Sequence, residues 1–188
     1  NDQVKLDQIP QAQSSLISFN PKTGEILSYV GGSVFNDSQF DRVRQSYPQS
    51  GSVFKPFIYA SAFSGGYNPS SLINDAPIIF EDENLETFWR PENYSGKFYG
   101  LTTLREALVQ SINIVSIKLL REIGVKKSSE TIDNFGFGLD RLPQDLSLAL
   151  GSGNFSPAEV ARGFSVFAND GMISDIHYVS QIKDKNGD

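Results

Sequence analysis

Cysteine is absent from the 188 residues, and histidine occurs once, at His177. The first absence excludes disulfides, thiol catalysis and cysteine-ligated zinc, and leaves the redox compartment open. A lone imidazole without a second histidine makes a poor metal site, and nothing around it has the pattern of a serine–histidine–aspartate triad. His177 therefore reads as a surface or strand-packing residue. Positive charge is also scarce: 16 Lys and Arg stand against 22 Asp and Glu, a net charge of −6. Nucleic acid is not an expected partner, because phosphate binding needs a basic face. No apolar run approaches the roughly 18 residues that a membrane-spanning helix needs. No secretory leader is recognisable, but the chain opens on Asn rather than Met, so further sequence is expected upstream.

What is present is ordinary globular composition, 39% hydrophobic and 20% charged, suited to one domain or a large piece of one. Residues 1–13 are polar and aperiodic and read as a linker tail. "SSLISF" and "EILSYV" are short strand-like runs joined by "NPKTG", where Asn-Pro opens a turn and Gly24 supplies a positive φ. Both runs carry apolar groups on both faces, which predicts strands covered on both sides. "SVFKPFIYASAFSGG" predicts a helix that stops at Gly65-Gly66 and must begin close to Ser52, since Pro56 is tolerated only in a first turn. Residues 65–100 read as loops with short extended pieces.

"TTLREALVQSINIVSIKLLREIG" is helical, with Thr103 and Glu106 spaced as a capping box and Gly124 as the stop. "SSETIDNFGFG" adds a shorter helix. Ser156, Pro157 and Glu159 open another with a full capping signature. "HYVSQIKDKNGD" predicts a strand entering a hairpin turn at Asn186-Gly187. No internal repeat occurs.

Chemistry is carried by Ser52 and Lys55 in "SVFK". On a helix, residues three apart share one face with Cβ atoms about 5–6 Å apart. A helix start also favours a developing alkoxide. A second match, Ser180-Gln-Ile-Lys183, falls in the predicted last strand, where residues three apart point to opposite faces. A serine needs a base, and lysine can serve only if its amine is neutral near pH 7. That requires burial or neighbouring cations, and Phe54, Phe57, Tyr59 and Phe63 are candidates for a dry wall.

Together "GSVFKPFIYASAF", "YGLTTLREALVQSIN" and "LALGSGNFSPAEVARGFSVFANDG" resemble the transpeptidase domain of class A high-molecular-weight penicillin-binding proteins, the bifunctional wall synthases of bacteria. "SLISFNPKTGEILSYVGG" resembles the domain's first strand pair and "FWRPENY" its mid-loop. The likeness runs from about residue 11 to the end, in the family's order. It implies an α+β, penicilloyl-serine transferase fold (β-lactamase/transpeptidase-like), a five-stranded antiparallel sheet flanked by helices. On this reading residues 14–188 are the N-terminal portion of the domain, truncated before its later strands.

The resemblance further implies that Ser52 is the acylated nucleophile and Lys55 its general base. Three Ser-x-Asn triplets compete for the family's second motif. Ser18-Phe-Asn20 precedes the nucleophile, and a turn explains Ser152-Gly-Asn154. Ser111-Ile-Asn113 matches, with Ser111 implied as proton relay and Asn113 as the group holding Lys55 and the substrate amide, at a break between helices. The signature of such enzymes also includes a Lys-Thr-Gly triplet. Lys22-Thr23-Gly24 precedes both other motifs on a hairpin tip and reads as turn chemistry. The true third motif is expected beyond residue 188, so the isolated chain is expected to be inactive and prone to self-association through an open strand edge.

The implied activity is serine D,D-transpeptidation, cross-linking peptidoglycan stem peptides that end in D-Ala-D-Ala, with β-lactam antibiotics acylating the same serine. No metal or cofactor is implied. The implied location is the periplasmic face of the bacterial inner membrane, in a membrane-anchored protein with an upstream glycosyltransferase domain. The rival readings are a class D-type β-lactamase or β-lactam sensor, and a non-catalytic wall-binding module with a vestigial site.

Overall fold

The runs at Leu16–Phe19 (β1) and Ile26–Val30 (β2) pair antiparallel, as their turn chemistry predicts. The structure, a computed structural model, describes residues 12–81, 88–185 and 187. The further elements are α1 (Lys55–Ser64), β3 (Leu72–Asp75), β4 (Phe80–Glu81), β5 (Phe88–Trp89), β6 (Gly100–Thr103), α2 (Leu104–Val109), α3 (Asn113–Ile123), α4 (Val125–Asp133) and α5 (Pro157–Ala168). Among the described residues, antiparallel pairing forms three two-stranded sheets, β1-β2, β3-β6 and β4-β5. The chain divides into two compact units. One is Pro48–Phe155, and the other combines the stretches ending at Tyr47 and beginning at Ser156.

In the second of these units, Gly24 closes the hairpin with φ 80°. Its N–H donates to the Asn20 carbonyl at 2.8 Å, and the Asn20 N–H donates to Glu25 O at 2.9 Å. The backbone of His177 bridges to this tip: its N–H donates to Gly24 O at 3.0 Å and its carbonyl accepts from Ile26 N at 3.1 Å. A Cβ at Gly24 would lie 1.9 Å from the Asp175 carbonyl oxygen. Gly24→Val is therefore expected to destabilise the protein by about 2 kcal/mol or more, through both φ and clash. Lys22→Ala at the exposed tip is expected to change stability by less than about 0.5 kcal/mol. Denaturant titration of the two variants against the parent measures both effects.

The sheet is not covered on both faces. Ile17, Phe19, Ile26 and Tyr29 are half-buried on the face where α5 packs on β1. Leu16 and its partner Val30 are 51% and 47% exposed. The register slips between Ser18 and Phe19, which leaves Leu27 as an extra, 64% exposed residue. The two-faced apolar pattern thus reflects a bulge and a bare face, not double burial. α5 opens with the full capping box: the Ser156 hydroxyl accepts from Glu159 N, and the Glu159 carboxylate accepts from Ser156 N.

The predicted strand over "HYVSQIK" does not form. His177 makes one bridge to Glu25, and residues 179–185 are irregular and exposed, because no partner strand among the described residues extends beyond that bridge. Of the predicted closing turn, Asn186 lies outside the described residues, while Gly187 N donates to Asp184 O at 3.1 Å.

The core of the Pro48–Phe155 unit is helical. α3 buries Ile114, Val115, Ile117, Leu119 and Leu120 and packs against α1, which buries Phe57, Ile58, Tyr59 and Ala62. Serines at the contacts are small enough for close approach, and Ser61, Ser116 and Ser128 are hydrogen-bonded, whereas the buried Ser129 hydroxyl of α4 has no partner among the described residues. Tyr59 Oη and Ser116 Oγ are 3.3 Å apart, and Ser61 donates to Ser128 at 3.2 Å. Beneath the start of α1, Phe54 stacks on Phe155 at 5.5 Å and meets Phe57 and Phe137 edge-on or tilted, at 5.2 and 5.0 Å. Each such pair contributes about 0.5–1.5 kcal/mol beyond burial. Phe63, counted with this wall from sequence, is instead 39% exposed. The Thr103–Glu106 box forms by half, since only the Thr103 hydroxyl is engaged, accepting from Glu106 N. The long helical stretch breaks into α2 and α3 around Ser111.

Candidate active site

Ser52 lies in a 3-10 turn, Gly51–Phe54, that runs directly into α1 with Pro56 in its first turn. The helix therefore starts where the proline forces it to. The approach to this turn is strapped to the segment after Leu150. Ser50 N donates to Gly153 O at 3.1 Å and Gly51 N to Gly151 O at 2.9 Å. The Ser50 hydroxyl reaches the same two carbonyls, at 3.3 Å to Gly151 and 3.1 Å to Gly153. A Cβ at Gly151 would sit 1.9 Å from Gly51 O, so only glycine allows this approach. The Ser152-Gly-Asn154 triplet is thus part of the strap. Sequence reasoning assigned it a turn and missed Ser50, Gly151 and Gly153, whose roles exist only once the two segments meet.

The Ser52 side chain is exposed, and its hydroxyl forms no hydrogen bond among the described residues. Lys55, three residues on, is 1% exposed. Its Nζ donates to Ser111 O at 2.6 Å, Ser111 Oγ at 3.1 Å and Asn113 Oδ1 at 2.8 Å. Burial lowers its pKa from 10.5 to about 8. Of the three oxygens, the Ser111 hydroxyl alone can reverse its role and donate to a neutral amine. The geometry therefore provides one exit for a proton, toward Ser111.

Ser111 ends α2 as a C′ residue, with φ 53°. Ile112 N donates to Ala107 O at 2.8 Å and Ser111 N to Leu108 O at 3.1 Å, the two bonds of a Schellman motif. Glycine normally occupies that position, and serine there is strained by about 1 kcal/mol. The strained backbone turns the Ser111 carbonyl onto Lys55. Ser111→Gly is accordingly expected to raise folding stability by up to about 1 kcal/mol. The same substitution is expected to slow acylation by penicillin about 10²-fold or more. Ser111→Ala, which keeps the strain and loses the hydroxyl, is expected to match only the second effect. Melting curves and labelling rates in the complete protein separate the two.

Asn113 starts α3, and its side chain has a fixed orientation. Nδ2 donates to Glu92 O at 3.0 Å, which leaves Oδ1 toward Lys55. The remaining sequence candidates fall elsewhere. Ser18 and Asn20 belong to β1 and its turn, and Lys22-Thr23-Gly24 forms the hairpin tip. Ser180 and Lys183 are exposed on an irregular segment, not on a strand, so the pair lacks the helical geometry for a different reason from the one its sequence suggested. Among the described residues no helix is long and apolar enough to cross a membrane.

A family model described as "Penicillin binding protein transpeptidase domain" matches residues 15–188. Over 184 residues, 98% of this chain, the sequence is 47% identical to penicillin-binding protein 1A of Pseudomonas aeruginosa. Over 183 residues, 97% of this chain, it is 42% identical to penicillin-binding protein 1A of Vibrio cholerae. The chain spans 22% of the length of each of these relatives. The crystal structure of penicillin-binding protein 1A from Haemophilus influenzae superposes with a TM-score of 0.91 at 38% identity, covering 97% of this chain and 27% of that one.

Proposed function

The chain belongs to the penicillin-binding protein transpeptidase family, and we propose that within the complete protein it supplies the acylating half of a serine D,D-transpeptidase site. Its fold is the α+β, penicilloyl-serine transferase type, and domains of this family bind β-lactams and peptidoglycan stem peptides in general. Residues 1–13, of which 1–11 lie outside the described residues, serve as a connecting tail and 14–188 as part of the catalytic domain. The complete protein is anchored in the bacterial inner membrane, with this part on the periplasmic side, and carries a glycosyltransferase domain elsewhere.

The observation that carries the reading is the buried Lys55 amine, held by Ser111 and Asn113 one helical turn from the open Ser52 hydroxyl. In its neutral form Lys55 takes the proton from Ser52 Oγ as that oxygen attacks the carbonyl of the penultimate D-alanine in a stem peptide. The oxyanion that develops faces the Ser52 N–H at the helix start. The proton then passes from Lys55 through the Ser111 hydroxyl to the nitrogen of the terminal D-alanine, and the C–N bond breaks. An amine from a neighbouring strand attacks the resulting ester and frees Ser52. Asn113, fixed on Glu92, has its second N–H to offer the substrate carbonyl.

A non-catalytic wall-binding module has no use for a desolvated lysine or a strained Ser111, since each lowers stability without holding a ligand. The reading is tested by exposing the complete protein to benzylpenicillin and mapping the adduct by peptide mass spectrometry. One penicilloyl group on Ser52 is expected. A protein with no adduct, or with it on a different serine, overturns the assignment.

A further inference from the structure

Behind the lysine lies a second polar layer that the mechanism above does not use. Asp75, at the end of β3, is 1% exposed, and Asn93, in the loop before β6, is 6% exposed. Asn93 Nδ2 donates to both carboxylate oxygens of Asp75, each at 2.9 Å, and to Lys97 O at 2.8 Å. Tyr99 N also donates to Asp75 Oδ2, at 2.9 Å. With its amino side held by a carboxylate, the Asn93 amide can present only its oxygen on the other side. That oxygen accepts from Asn113 N at 3.0 Å and Ile114 N at 3.1 Å.

We propose that Asn93, oriented by Asp75, is a positioning residue for acylation. It caps the first turn of α3 from another segment and so sets where Asn113 holds the catalytic lysine. Four observations converge on it. The residue before α3, Ile112, makes no side-chain cap, so the orphan N–H groups of the first turn depend on this remote oxygen. The neighbouring Glu92 carbonyl takes the Asn113 side chain at 3.0 Å, so residues 92–93 grip Asn113 by backbone and side chain together. The only route from the Asp75 carboxylate to Lys55 Nζ through these bonds runs by Asn93 and Asn113. Finally, the pair is buried in a fold where apolar residues would cap nothing, and a buried amide with its partners removed costs more than the bond itself contributes.

Among the described residues, the charged groups that face this corner are Asp75 itself, Lys118 and Lys55. Lys118, on α3, places Nζ 2.7 Å from Asn74 O and 3.0 Å from Ala76 O, on either side of Asp75. Asn93→Asp keeps the oxygen toward α3 but sets a second carboxylate against Asp75. The two must then share a proton or repel, and acid restores the hydrogen bond.

The experiment follows acylation by a fluorescent penicillin in the complete protein, for the parent, Asn93→Ala and Asn93→Asp, with melting curves for each. Asn93→Ala is expected to slow acylation about 10- to 100-fold at temperatures where it stays folded, because a small displacement of a catalytic group is enough. Asn93→Asp is expected to be similarly slow at about pH 8, its rate relative to the parent rising several-fold by about pH 5.5. Folded variants within twofold of the parent, or an Asn93→Asp ratio flat across pH, would overturn the proposal. If Asn93→Ala does not fold, the ratio for Asn93→Asp decides alone. The inference rests on the function proposed above, and the parent separates the two. A parent not acylated on Ser52 removes the function, whereas an acylated parent with indifferent Asn93 variants removes only this role.

Discussion

Ser52→Ala in the complete protein is expected to abolish penicillin labelling, leaving no adduct on any neighbouring hydroxyl. Three serines are candidates for the attack. Ser50 donates its hydroxyl to Gly151 O and Gly153 O and so belongs to the strap that shapes the helix start. Ser111 accepts a hydrogen bond from the Lys55 amine and sits in a strained turn that fixes it there. Ser52 is exposed and, unlike Ser50 and Ser111, its hydroxyl makes no hydrogen bond among the described residues; it lies one helical turn before the base and stands in the first turn, where backbone N–H groups are unpaired. Removing Oγ leaves the strap and the Lys55 cluster intact, so the variant should fold normally. Gel fluorescence and intact mass after exposure to a labelled penicillin measure the outcome. A variant that still forms a stoichiometric adduct on Ser50 or Ser111 would show that the nucleophile has been misplaced.

The parts of the fold that were legible in the sequence are those written in local signals. Gly24 in "NPKTG" and Ser156-Pro157-Ala158-Glu159 each specify their turn or cap by backbone conformation and short-range hydrogen bonds, and both form. Pro56 fixed the start of α1 because its ring admits only the first turn. The strand at "HYVSQIK" failed for the opposite reason. Its apolar alternation is a statement about a partner, and beyond the bridge from His177 to Glu25 no described residue is paired with it.

The site was legible to a similar depth. Ser52 and Lys55 share a helix, and their meeting is a matter of spacing. That Lys55 would be buried and gripped by a backbone carbonyl depends on Ser111 adopting φ 53°, which no propensity favours in serine. A strained residue in an otherwise regular helix ending is the kind of local contradiction that marks a functional position. Asn93 could be suspected only from "RPENY", a loop with no periodicity. Its part becomes visible when β3, the loop and α3 converge, through contacts between residues 18 to 21 positions apart. Composition carries no trace of such a network.

Lys55→Ala is expected to leave a folded protein whose acylation is slower by about 10² to 10⁴, the usual loss on removing a general base, or about 3–5 kcal/mol on the barrier. The pH dependence gives the sharper test. Burial lowers the folded-state pKa from 10.5 to about 8, and the reactive form is the neutral amine. The parent's acylation rate should therefore climb about tenfold per pH unit on the acid side and level off above about pH 8, and Lys55→Ala should lack that limb. Stability must move with it. The unfolded chain keeps its amine protonated up to 10.5, whereas the folded chain releases the proton near 8. Between those values the unfolded state binds the extra proton, so stability rises with pH across that window and is lowest below it. Lys55→Met removes the titrating group and should flatten that rise in denaturant titrations run across the same pH range. A parent whose acylation rate is already flat at about pH 6 would mean the proton leaves Ser52 by another path. In that case the three oxygens around Nζ hold the amine charged, and Lys55 acts as a fixed cation beside the nucleophile instead of as its base.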